Sequence, residues 1–142
     1  MELAPGLRAS LRVVVSGADT AIEAGSGDVP VLATPRLLAL AEAASVAAVG
    51  PQLAAGMTSV GTAVSLEHRR ATPVGAEIEV EAELTEVDGR RLVFSFIARH
   101  VPPGSGDGDD PGDDEDLVAG AGSLERVVVD REKFLARLAP PG

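Results

Sequence analysis

An α+β fold, with an antiparallel sheet of about five strands wrapped around one long central helix, is predicted by three observations. A single apolar, Ala-rich run of helical length covers residues 34–49. Most of the remaining apolar residues recur with period two, in segments of strand length. Short turn signals separate several of these segments, so hairpins and antiparallel pairing follow. The chain has 142 residues, enough for one real core and too few for two, and is read as a single domain over 1–142.

Residues 11–15, Leu-Arg-Val-Val-Val, make the first predicted strand. Residues 19–30 are polar and Gly-bearing and read as a connection. Thr34 before Pro35 suits a helix cap followed by Pro at the first helical position. The helix runs to about Val49 and stops at Gly50-Pro51, a rod of roughly 22 Å. It is apolar nearly all round, so it should be covered on most sides. Residues 59–68 then alternate as a strand. Residues 76–84 alternate cleanly and set Glu77, Glu79, Glu81 and Glu83 on a wet face. Asp88-Gly89 is a hairpin signal, and residues 91–98 return from it. Residues 117–129 are the last strand and 130–138 a short closing helix.

Composition removes several classes of function. With three Phe and no Trp or Tyr, the core must be built from Val, Leu, Ile and Ala. Without Cys there is no disulfide framework, thiolate nucleophile or Cys-based metal site. Two histidines, His68 and His100, are too few for a histidine-rich site, and no metal is expected. No segment has the uncharged apolar length of a membrane span, and the N-terminus lacks a signal pattern. The chain therefore reads as soluble and cytoplasmic, with no membrane partner.

The net charge of -10 is local in origin. Asp107, Asp109, Asp110, Asp113, Asp114, Glu115 and Asp116 lie in one run with no base between them. Together with the Pro and Gly around it, the run defines a flexible acidic loop over 102–116. A calcium loop needs a fixed ligand spacing that this register does not supply. Nucleic acid is not an expected partner, because no aromatic-rich basic face is visible.

One charge stands alone. Between residues 37 and 66 the only Asp, Glu, Lys or Arg is Glu42, inside the predicted helix. A carboxylate among small apolar residues is costly to bury unless it has a partner or a task. A general base or nucleophile is such a task. A wet stripe on the helix is the plainer alternative. Thr34 has the plain reading of a cap, Gly61 that of a bulge or tight crossing, and His68, beside Glu67, Arg69 and Arg70, that of a solvated strand end.

Several fragments agree in order and spacing. Val31-Leu32-Ala33-Thr34 is followed eight residues on by Glu42. Val60-Gly61-Thr62 is followed, seven residues after Gly61, by His68. Ala71-Thr72-Pro73-Val74-Gly75, Gly89-Arg90-Arg91-Leu92 and Glu125-Arg126-Val127-Val128 come next. In this arrangement the chain resembles the hot-dog fold thioesterase superfamily, and within it the fluoroacetyl-CoA thioesterase-like branch. The resemblance covers roughly residues 31–134.

It implies a hot-dog fold and hydrolysis of a short or medium acyl-CoA thioester to free acid and coenzyme A. It carries catalytic roles onto Thr34, Glu42, Gly61 and His68. Glu42 would be nucleophile or base, His68 the proton carrier, Thr34 an orienting hydroxyl, and Gly61 a backbone oxyanion donor. Arg126 would help hold the coenzyme. No cofactor is implied beyond coenzyme A as part of the substrate. A homodimer or higher homo-oligomer is implied, with Glu42 and His68 meeting within one subunit or between two. A non-catalytic acyl-CoA or small-ligand binder, or a hot-dog dehydratase or hydratase, is the alternative on this scaffold. Fluoroacetyl-specific relatives carry aromatics near the acyl pocket and a lid. Here residues 18–30 hold none and Ala43 follows Glu42, so fluoroacetate specificity is not carried over.

Overall fold

Period-two alternation lays out the sheet, and the structure, a computed structural model, follows it closely. It describes residues 3–104 and 115–138, so most of the acidic loop predicted over 102–116 lies outside the described residues. Five strands, β1 (Arg8–Val14), β2 (Met57–His68), β3 (Glu77–Asp88), β4 (Arg91–Val101) and β5 (Val118–Asp130), form one antiparallel sheet in the order β1-β3-β4-β5-β2. Among the described residues three α-helices, α1 (Ala21–Ala24), α2 (Thr34–Val49) and α3 (Arg131–Ala136), accompany the sheet.

The β3 alternation works on both faces. Ile78, Val80, Ala82 and Leu84 are fully buried beneath α2 and its neighbours. The intervening acids meet β1, where Arg8 stands opposite Glu83 and Arg12 opposite Glu79, each pair bridged at 3.1–3.2 Å. The β3–β4 hairpin turns at Gly89, whose φ of +60° suits a residue without Cβ. Leu92, Phe94, Phe96 and Ala98 of β4 continue the apolar face, so Phe94 and Phe96 fill the middle of an otherwise aliphatic core.

Three expectations change. The hairpins expected between successive strands do not extend to β2 and β3, because β2 crosses to the far edge and pairs with β5. Residues 69–76 carry the chain back, tied by Leu32 N–H to the Thr72 carbonyl and Gly75 N–H to the Val15 carbonyl. The polar connection also contains α1, capped by Thr20, whose hydroxyl accepts from Glu23 N–H. Finally, α2 packs chiefly on β1 and β3. Leu37, Leu40, Ala41, Ala44, Ser45, Ala48 and Val49 are buried, while Ala39, Ala43, Val46 and Ala47 form an open stripe. The helix is therefore covered on one side only within the protomer.

Candidate active site

Inward alternation on β5 runs through Leu124, Arg126 and Val128, so a guanidinium takes a place otherwise given to aliphatic side chains. Arg126 is only 7% exposed. A guanidinium there needs partners for its donors. Its Nε donates to Ser59 Oγ at 2.8 Å, its Nη2 to the Ser59 carbonyl at 3.0 Å, and its Nη1 to Glu42 Oε2 at 3.2 Å. Burial lowers its pKa, and the nearby Glu42 charge opposes that effect. The arginine expected to meet the coenzyme instead turns inward, onto the one isolated carboxylate of the helix.

Gly61 pairs with Arg126 across the β2–β5 ladder, and Thr62 is the extra residue of a bulge, its hydroxyl donating to the Glu125 carbonyl at 3.2 Å. A Cβ built at Gly61 would stand 2.6 Å from Glu42 Oε2 and 3.5 Å from Arg126 Nη1. Glycine thus leaves the space into which the carboxylate leans. The Glu42 side chain remains 36% exposed, so it is anchored on one side and reachable from the other.

A second cluster lies at the start of α2. The N-cap is Ala33, without a side-chain cap bond, and Thr34 is already helical. Freed from capping, Thr34 Oγ1 lies 2.8 Å from His68 Nδ1 at the end of β2. That contact fixes the imidazole ring. His68 Nε2 is buried with no hydrogen-bond partner among the described residues. Burial pushes the His68 pKa below its ordinary value, against the opposing pull of the Arg70 backbone carbonyl, which favours the protonated ring. A cavity of about 310 Å³ opens beside Thr34 and His68, with Val29, Val31, Arg69 and Arg70 in its walls and no aromatic.

The two clusters do not meet in one protomer. Thr34 and Glu42 are eight residues apart on α2, about 12 Å of helical rise. Gly61 and His68 are seven apart on β2, roughly 20 Å along the strand. The structure groups Glu42 with Gly61 and Arg126, and Thr34 with His68. Between the groups β2 is an edge strand, exposed throughout residues 61–65, with Val64 51% exposed.

Two participants were not singled out from sequence. Ser59 holds two of the Arg126 donors, and its place two residues before Gly61 on the same strand face is the only signal for it. His100 pairs its Nε2 with the fully buried Thr72 Oγ1 at 2.7 Å. Among the described residues no group of three or more His, Cys, Asp or Glu could hold a metal ion. No described helix is long and apolar enough to cross a membrane.

The family model for fluoroacetyl-CoA-specific thioesterases matches residues 15–106. The chain belongs to this family. A fluoroacetyl-CoA thioesterase from Streptantibioticus cattleyicolor is 39% identical over 108 residues, covering 76% of this chain and 68% of the relative. A crystal structure of a point mutant of the fluoroacetyl-CoA-specific thioesterase superposes with a TM-score of 0.79 at 31% identity, covering 96% of each chain. Another point mutant, solved in complex with acetyl-CoA, gives 0.78 at 33% identity over 95% of this chain and 96% of that one. A thioesterase superfamily member from Thermus thermophilus, at 24% identity and a TM-score of 0.78 over 95% and 90% of the two chains, shares the hot-dog fold.

Proposed function

We propose that this thioesterase hydrolyses short or medium acyl-CoA at sites shared between two copies of the chain. Family membership makes it an acyl-CoA thioester hydrolase. The observation that carries the site assignment is the Glu42 carboxylate seated against Gly61 and steered by Arg126. A thioester carbonyl beside Gly61 would present its carbon to Glu42. Glu42 then acts as nucleophile or as the base that aims water. The Gly61 N–H would donate to the developing oxyanion, an interaction of roughly 3 kcal/mol in comparable sites. Arg126 is a positioning residue for Glu42 rather than a grip for the coenzyme. No cofactor is called for beyond the coenzyme A of the substrate.

Proton transfer needs His68, and separation within the protomer supports an assembly across subunits. Two exposed β2 edges paired antiparallel about a two-fold axis near Ser65 put Gly61 level with His68 of the partner subunit. The extra residue Thr62 sets that register. The same union would cover the open stripe Ala39, Ala43, Val46 and Ala47 and remove an unprotected sheet edge. The unpaired His68 Nε2 would then face the water or leaving thiol to which it passes protons. A homodimer is the smallest such assembly, and the cytoplasm, where acyl-CoA is made and used, is its proposed location.

Mixing two inactive variants tests this. Glu42→Gln and His68→Ala should each lose thiol release from acyl-CoA while keeping the wild-type melting temperature. Unfolded and refolded together in equal amounts, they should recover about a quarter of wild-type activity, because half the dimers are mixed and each holds one intact site of two. No recovery with mixed dimers present would mean a site contained in one chain. Thiol release that survives Glu42→Gln would remove the catalytic assignment.

A further inference from the structure

In a chain of net charge -10, cations without acidic partners are informative. Arg8, Arg12, Arg36, Arg69, Arg70, Arg91 and Arg126 all engage acids. Arg90, Arg131, Lys133 and Arg137 do not, among the described residues, and all of these except Arg131 line one cavity of about 210 Å³. Phe134 and Met57 contribute its apolar wall. Asp130 is also present, but one carboxylate oxygen, Oδ1, is occupied capping Lys133 N–H at 3.0 Å. Three cations and a half-buried aromatic ring lining one cavity have the chemistry that suits a phosphorylated heterocycle. Guanidinium and ammonium groups meet phosphate oxygens, and the ring offers a stacking face.

Position gives this cavity its use. Met57 lies on β2 on the same sheet face as Ser59 and Gly61, four residues before Gly61 and so about 13 Å along the strand. Coenzyme A separates its thioester from its phosphates and adenine by a long flexible pantetheine arm. An acyl-CoA with its carbonyl at Gly61 can lay that arm along the β2 edge and reach this corner.

We propose that Arg90, Lys133, Arg137 and Phe134 bind the 3′-phosphoadenosine diphosphate end of the acyl-CoA. The inference rests on the acyl-CoA reading of the Glu42 site, and the test separates the two. Butyryl-CoA and S-butyryl-pantetheine, which lacks the nucleotide, are compared as substrates of wild type and of Arg90→Ala, Lys133→Ala and Arg137→Ala. Binding of adenosine 3′,5′-bisphosphate is measured by calorimetry, independently of turnover. Each substitution should raise KM for butyryl-CoA about fivefold, as for exposed charge pairs, with kcat within twofold. KM for the pantetheine ester should not move. The triple variant should lose bisphosphate binding, with the wild-type circular dichroism spectrum retained.

Equal KM changes for both substrates, no change for either, or undiminished bisphosphate binding by the triple variant would overturn the proposal. So would an effect confined to esters of an acidic acyl carrier protein, which would make the corner a protein-docking surface. If wild type hydrolyses neither ester yet binds the bisphosphate through these cations, the nucleotide site stands and the hydrolytic reading falls.

Discussion

Replacing Gly61 with alanine separates catalytic positioning from folding. The added Cβ would lie 2.6 Å from Glu42 Oε2, where ordinary contact begins at 3.4 Å, so the carboxylate must withdraw by about 0.8 Å. It can do so, because it is the end of a flexible side chain that is 36% exposed. The Gly61 backbone is not in the left-handed region, so alanine meets no conformational penalty there. The damage to stability is limited to the lengthened Glu42–Arg126 pair. At this exposure that is below about 1 kcal/mol and a shift of a few degrees in melting temperature. Catalysis responds more steeply, since a misplacement near 1 Å costs roughly 100-fold in rate. Gly61→Ala should therefore lose about two orders of magnitude in kcat for acyl-CoA hydrolysis, read by thiol release, while melting almost as wild type. Shortening the acid in the double variant Gly61→Ala/Glu42→Asp should return part of that loss. A kcat within about threefold of wild type would refute the idea that the seat of Glu42 governs the chemistry.

Gly122→Ala should act in the opposite way: its Cβ would run into the Ser65 carbonyl and the Phe96 ring, so β2 and β5 cannot keep their spacing. A destabilisation of roughly 3 kcal/mol is expected in urea unfolding, and a loss under about 1 kcal/mol would show that the ladder yields easily. The histidines set a pH dependence. Burial depresses both His68 and His100 below 6.5, with Arg70 and then His68 adding to the effect at His100. The unfolded chain thus takes up these protons first. Their contribution to stability is complete above pH 6.5 and declines as pH falls from there toward the lower folded values. Urea unfolding at pH 7.5, 6.5 and 5.5 should show that decline, and His68→Asn/His100→Gln should flatten it. Stability that rises on acidification through this window would contradict the burial of both rings. The acidic limb of kcat/KM should likewise lie below pH 6.5, because the His68 ring stays neutral there.

Residues governed by their immediate neighbours were readable in the sequence. Glu77 to Leu84 alternate because one face meets the core and the other meets Arg8 and Arg12, and both demands are local to the strand. The α2 stop at Gly50-Pro51 and the turn at Gly89 follow from backbone chemistry alone. Strand order was less readable, because β2 alternates equally well beside β3 or β5. The choice depends on residues 69–76 and on Gly120 and Gly122, which let the two backbones approach. The isolation of Glu42 marks it out, but its partner does not follow, since Arg126 lies 84 positions away and the resemblance gives it to the coenzyme. Thr34 reads in sequence both as a cap, which its side chain suits, and as the orienting hydroxyl that the resemblance implies. The preceding backbone turns at Ala33 instead, and the hydroxyl is left for His68. The open stripe of α2 was invisible for a different reason. Apolar residues look the same in sequence whether their own sheet or a second chain covers them.

In the proposed two-chain site, the gap between the Glu42 and His68 clusters would make turnover a matter of encounter between chains. When every working site draws one half from each of two molecules, dilution thins the active species faster than it thins the protein. Specific activity then drops at low enzyme concentration, where a self-contained hydrolase would keep it constant.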